Sequence, residues 1–140
     1  MFSLDPRLQA DTHPLGDFPL CRLLLSNDSQ YPWLILVPRR EGIAEIFELP
    51  ASEQQQLWQE ATHLGACVQQ AFGADKVNIA ALGNVVRQLH VHVIARFTHD
   101  PAWPAPVWGK LPAKPYQAAE ADALRARLQP LLGEGFIWAA

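Results

Sequence analysis

The chain is short of the features that mark several common protein classes. It has only two cysteines, Cys21 and Cys67, far apart and in no metal-ligand spacing, so neither a disulfide framework nor a zinc module is expected. Reduced thiols in a cytoplasmic protein are the expectation. No apolar run approaches the roughly 20 residues that a membrane-spanning helix needs, and Met1-Phe2-Ser3-Leu4-Asp5-Pro6-Arg7 lacks the basic-then-apolar order of a secretion leader. No membrane partner is expected. Basic residues are scarce too: 11 Lys and Arg against 14 Asp and Glu give a formal charge of −3. That balance argues against the broad basic surface of a nucleic-acid binder, while a nucleotide-sized anion needs only local donors. There are no internal repeats, and 140 residues leave no room for a second domain.

What is abundant is apolar side chain, 49% of the residues, enough for a substantial core. A short helix is expected near Pro6 to Thr12, then buried strands over Leu20–Ser26 and Trp33–Val37, forming an antiparallel hairpin. A third, short strand is expected over Ala44–Leu49. Ser52 and Gln55 have capping-box spacing, and Leu57, Ala61, Leu64, Val68 and Phe72 recur at helical intervals until Gly73 permits a left-handed stop. Lys76–Leu82 reads as a strand, and Gly83-Asn84 as the turn that delivers the chain into the next one. Residues 98 to 116 are too rich in proline for regular structure, and Gln117–Leu132 reads as a final helix that Pro130 distorts. The pattern implies an α+β fold, an antiparallel sheet of about five strands with a long helix and a C-terminal helix packed on it. A single domain, 1–140, is expected, its core in 20–97 and a Trp/Pro segment with a helix in 98–140.

The chemistry concentrates in Val86–Phe97. Strict alternation puts Leu89, Val91, Val93, Ala95 and Phe97 on one face of a strand and Gln88, His90, His92, Ile94 and Arg96 on the other. Side chains two apart project the same way with about 6.6 Å of rise between them, so an amide and two imidazoles form a polar row. Such a row can surround one phosphorus centre.

Gln88-Leu89-His90-Val91-His92-Val93-Ile94-Ala95-Arg96 resembles the signature of the histidine triad (HIT) superfamily, His-x-His-x-His followed by two apolar residues and often Pro-Arg. Aligned from its tail, His92 takes the third position, His90 the middle, nucleophilic one, and Gln88 stands where the first histidine would be. The resemblance covers roughly residues 20 to 97. It implies a small antiparallel sheet flanked by helices, usually a homodimer. It also implies a hydrolase or transferase that attacks the α-phosphate of a dinucleoside polyphosphate or related nucleoside conjugate through a nucleotidyl-histidine on His90. His92 would contact phosphoryl oxygens, Gly83 and Asn84 would cradle phosphate, Asn27 or Asp28 would meet ribose hydroxyls, and Asn78 matches an asparagine of some members. Val85 departs from the serine or threonine that many relatives carry. No cofactor or metal is implied.

Two other readings stand beside this one. A nucleotide-binding module could keep the pocket while Gln88, an amide that exchanges no proton near neutral pH, removes efficient turnover. Zinc could bridge His90 and His92, given a third ligand such as His99, Asp100 or His63. Trp33 and Trp58 are expected between sheet and helix, Trp103 and Trp108 over exposed core, with stacking on a base or closing a dimer groove as the alternatives, and Arg96 at a phosphate or in solvent.

Overall fold

The alternation of the histidine stretch sets the layering. The computed structural model describes residues 1–140, and in it Leu89, Val91, Val93 and Ala95 join the main core while Ile94 belongs to a separate cluster on the opposite side. The ladder itself is shorter than the alternation. It begins at Val91, because the preceding strand ends at Ala81, directly opposite Val91, and the connection is a nine-residue loop, 82–90, rather than a tight turn. Gln88 and His90 therefore lie in that loop, and only His92 sits within the strand.

In chain order the elements are α1 (Pro6–Asp11), β1 (Thr12–Asp17), β2 (Cys21–Ser26), β3 (Trp33–Pro38), a 3-10 turn (Ile46–Glu48), α2 (Ala51–Phe72), β4 (Lys76–Ala81), β5 (Val91–Arg96), α3 (Ala118–Leu128) and β6 (Ile137–Trp138). The strands form one antiparallel sheet of order β4-β5-β3-β2-β1-β6. This is the expected α+β sheet with a long and a C-terminal helix. It gains β1 and β6, which proline, glycine and brevity hide in the sequence, and loses the strand expected over Ala44–Leu49.

The sequence Thr12-His13-Pro14-Leu15-Gly16-Asp17 pairs with β2 through a bulge between Pro14 and Gly16, which takes up the missing donor of the proline. The Ala44–Leu49 segment is instead a turn. The Glu48 carboxylate accepts the N–H groups of Ala44 at 3.1 Å and Glu45 at 2.8 Å, curling the segment on itself. Helix α2 begins at Ala51 after Pro50, without a side-chain cap, and ends on Gly73 at φ 64°.

α2 lays Leu57, Ala61, Leu64 and Val68 on the sheet, all four wholly buried. Each leucine contributes roughly 2 kcal/mol by leaving water. Trp58 turns outward instead of packing under the helix, at 46% exposure. The other sheet face is covered by the chain's own flanks. Phe2, Leu4 and α1's Leu8 pack on Leu24, Ile35 and Val37, and Ala102 and Val107 of the Trp/Pro segment pack on Tyr31 and Ile94. Trp33 touches both clusters. The seam between these two covers is where the histidines open.

Candidate active site

His90 and His92 are brought ring to ring, with centroids 4.9 Å apart and planes at 70°. Each is held differently. His90 Nδ1 donates to the main-chain carbonyl of Gln88 at 2.7 Å. Since a carbonyl only accepts, the proton is on Nδ1 and the lone pair on Nε2, and Nε2 takes no hydrogen bond within the protein.

The His92 ring is fully committed. The Trp33 indole N–H donates to Nδ1 at 3.0 Å and Nε2 donates to the Leu82 carbonyl at 2.9 Å, which fixes the opposite tautomer. Burial lowers the pKa of His92 to about 4, reinforced by neighbouring His90 and only partly opposed by the Leu82 carbonyl. The donor on Nδ1 also leaves no lone pair there for a proton. Contact with a phosphoryl oxygen would require the Nε2 proton to exchange Leu82 for the ligand.

This arrangement gives a signed pH dependence. The folded pKa of His92 lies below its unfolded value of 6.5, so its contribution to stability is complete above pH 6.5 and lost as pH falls toward about 4. That window should cost on the order of 3 kcal/mol, read as the change in unfolding free energy between pH 7 and 4. His92→Asn should flatten the profile, and Trp33→Phe, which frees Nδ1, should move its acid limb to higher pH.

The two rings line a cavity of about 220 Å³ together with Trp33, Ile35, Trp108, Ser26 and Asp11. Trp108 stands edge-on to His92 at 5.0 Å and to Trp33 at 5.9 Å. The loop residues Gly83, Asn84 and Val85 form one wall, and their N–H groups find no acceptor within the protein. His90 and the same loop also border a second cleft of about 380 Å³ that holds Arg87 and Glu45.

Gly83 is required by space. A Cβ there would lie 2.6 Å from the Val86 carbonyl oxygen and 3.0 Å from Cε1 of His90. Gly83→Ala must therefore shift the loop or the imidazole, and imidazole NMR should show a displaced His90 ring in a protein whose unfolding midpoint is little changed.

The structure thus unites His90, His92, Gly83 and Asn84, and commits the side chains of the other expected site residues to partners elsewhere. The Gln88 side chain leaves the row and binds the amino-terminal arm, Oε1 accepting the Asp5 N–H and Nε2 donating to the Ser3 carbonyl, both at 2.9 Å. Asn27 Oδ1 accepts the Tyr116 N–H at 2.9 Å and contacts His13 Nε2 at 3.0 Å. The Asp28 carboxylate accepts from Gln30 and the Lys114 N–H. These two side chains clasp the C-terminal segment to the β2–β3 loop, and Ser26, the last residue of β2, is the nearby residue that reaches the cavity.

Asn78 and Arg96 are likewise committed elsewhere. Arg96 is 1% exposed, neither solvated nor free for phosphate. Its guanidinium donates to Asp100 at 2.8 and 3.1 Å, to Asn78 Oδ1 at 2.9 Å and to the Ala105 carbonyl at 2.7 Å. Burial alone would raise the Asp100 carboxyl, but hydrogen bonds from Arg96, Phe97 and Trp103 with the Arg96 charge hold it down at about 2.

No three His, Cys, Asp or Glu side chains converge anywhere in the chain. Of the third zinc ligands considered, Asp100 is paired with Arg96, His63 bonds the Leu132 carbonyl, and His99 stacks near Phe97. Two residues of the cavity, Trp33 and Trp108, carry no sequence signal that distinguishes them from aromatic residues covering a core. Only the β3–β5 register, which pairs Trp33 with Ile94 and Ile35 with His92, puts Trp33 on the histidine face.

The HIT domain family model matches residues 7–99. The chain belongs to the HIT family. A histidine triad protein from Marinobacter aquaeolei VT8 is 55% identical, with 94% of this chain and 96% of that one covered at a TM-score of 0.92. HIT proteins from Sinorhizobium meliloti 1021 and Bradyrhizobium japonicum are 49% and 44% identical, cover 94% of this chain and 97% and 98% of theirs, and superpose with the same score. No curated protein matches the chain. The matched span holds the whole Gln88–Arg96 stretch, in which the Gln88 side chain is bonded to Asp5 and Ser3.

Proposed function

We propose that this HIT protein transfers a nucleotidyl group through His90, acting on the α-phosphate of a dinucleoside polyphosphate or related nucleoside phosphate conjugate. The observation that carries the reading is the 2.7 Å bond from His90 Nδ1 to the Gln88 carbonyl, which leaves the Nε2 lone pair as the one to meet the reacting centre. In the first step Nε2 forms a bond to the α-phosphorus, and the bond from phosphorus to the bridging atom breaks with its electron pair leaving on the leaving group. Water then attacks the same phosphorus, the P–N bond breaks, and the nucleoside monophosphate is released with the imidazole restored.

The unpaired N–H groups of Gly83, Asn84 and Val85 suit the developing charge on the phosphoryl oxygens. The His92 Nε2 N–H, now on the Leu82 carbonyl, is one exchange away from an oxygen of the ligand. The indoles of Trp33 and Trp108 with Ile35 give the 220 Å³ cavity an apolar wall for a base. The first triad position carries no histidine to protonate the leaving group, so conjugates with good leaving groups are the better substrates.

The test is incubation with diadenosine tetraphosphate, a short quench and mass spectrometry of the His90 peptide. An adenylyl group on His90 supports the enzyme. Tight binding with no adduct and no product assigns the protein to the nucleotide-binding module instead. Assembly as a homodimer is part of the same proposal. β4 is a sheet edge, with half-buried Val77 and Ile79 and an unpaired ladder side, and Trp58 of the overlying helix is exposed. A second copy would cover that edge.

A further inference from the structure

The loop that carries His90 is weakly anchored by its own main chain. Across residues 83–89 only the Leu89 N–H makes a main-chain hydrogen bond, to the Ile43 carbonyl at 2.9 Å. The Gln88 carbonyl shares a peptide plane with that Leu89 N–H, so the bond to Ile43 holds the plane at one point, and its second hold is whatever fixes the Gln88 side chain. That is the amino-terminal arm. A carboxamide carries one acceptor and one donor on a single planar end, and here they meet the Asp5 N–H and the Ser3 carbonyl, each at 2.9 Å, as a rung of a ladder would. Arg7 adds a bond to the Val85 carbonyl at 3.3 Å, and Phe2 and Leu4 are packed on the Leu8, Leu24, Ile35 and Val37 cluster. The arm thus has its own footing on the sheet from which to hold the loop.

We propose that residues 3–5 are a positioning element of the site: they clamp the Gln88 side chain and, together with the Leu89–Ile43 bond, fix the carbonyl that sets the tautomer and ring angle of His90. The effect on rate rests on the reading of His90 as nucleophile; the effect on the ring does not. The clamp also accounts for the residue type at position 88. A glutamine engages a main-chain donor and acceptor two residues apart, which an imidazole with nitrogens on opposite sides of a rigid ring does not reproduce.

The proposal is tested with two substitutions at one position. Asp5 has φ −53°, which suits proline, so Asp5→Pro removes the N–H that Gln88 accepts while keeping the backbone path. Asp5→Ala keeps that N–H. Both lose the side-chain cap on the Arg7 N–H, so their difference isolates the clamp. Long-range proton–nitrogen NMR of the imidazoles should show His90 as the Nδ1–H form in the wild type and Asp5→Ala, and as a tautomer mixture in Asp5→Pro. Turnover of diadenosine tetraphosphate should fall roughly tenfold or more in Asp5→Pro, chiefly in kcat, and stay near wild type in Asp5→Ala.

Gln88→Ala should reproduce Asp5→Pro, and it stands in if the proline variant does not fold. An unchanged His90 tautomer in both variants overturns the proposal, whatever happens to the rate. A shifted tautomer in a protein whose wild type forms no adduct upholds the clamp and removes the catalytic reading alone.

Discussion

His90→Ala should form no nucleotide adduct and should hydrolyse diadenosine tetraphosphate at least about 10⁴-fold more slowly than the wild type, the usual scale for removing a covalent nucleophile. Binding of the nucleotide should survive, because the cavity walls of Trp33, Ile35, Trp108 and the Gly83 loop are untouched. The unfolding midpoint should also change little, since the His90 Nδ1 bond ends on a loop carbonyl and not on a core element. Equilibrium binding, adduct mass and turnover measured on one preparation separate these outcomes. Turnover within tenfold of wild type would show that phosphorus is attacked by another group.

Asp100→Ala should be the most destabilising single change in the second sheet face. It strips the counter-ion from Arg96, whose charge would then be left in an interior where its side chain is 2% exposed. Breaking such a pair typically costs about 3 to 5 kcal/mol. The loss also frees the N–H groups of Phe97, Ala102 and Trp103, which the same carboxylate accepts, so the Trp/Pro segment should loosen over the sheet. Denaturant unfolding gives the energy, and hydrogen exchange of residues 100–108 shows where it acts. Replacing both partners, as in Arg96→Met with Asp100→Leu, should recover much of the stability, because the unpaired charge disappears with its partner. The low carboxyl pKa of Asp100 has the same origin. Its stabilisation is present above the ordinary carboxylate range and fades as pH falls from about 4 toward 2.

Fold and family are legible in the sequence because they rest on local periodicity. The helical spacing from Leu57 to Phe72, the stop at Gly73 and the alternation from Leu89 to Phe97 each follow from one element and a water-facing or core-facing choice. The site is legible only where it is local as well. His90, His92, Gly83 and Asn84 lie within ten residues of one another and meet in space. The residues that do not join them are candidates through positional resemblance, or in the case of Gln88 through an alternation that the ladder does not reach, and each is claimed by a partner elsewhere in the chain. Gln88 goes to Ser3 and Asp5, Asn27 to Tyr116, Asp28 to Lys114, and Asn78 to the buried Arg96. Such competition between a ligand role and a structural one is decided by tertiary packing, which no spacing rule contains. Trp33 shows the converse. Its indole is legible as apolar bulk, but its N–H is the group that locks His92.

His90 stands at the doorway between two unlike chambers, one walled by indoles and the other holding Arg87 and Glu45. A molecule with phosphorus at that threshold would send one substituent into each. Changes at Trp108 should then alter tolerance for one half of the molecule and leave the other half as it was, and changes at Arg87 should do the reverse. Preference for each half is thereby free to drift on its own.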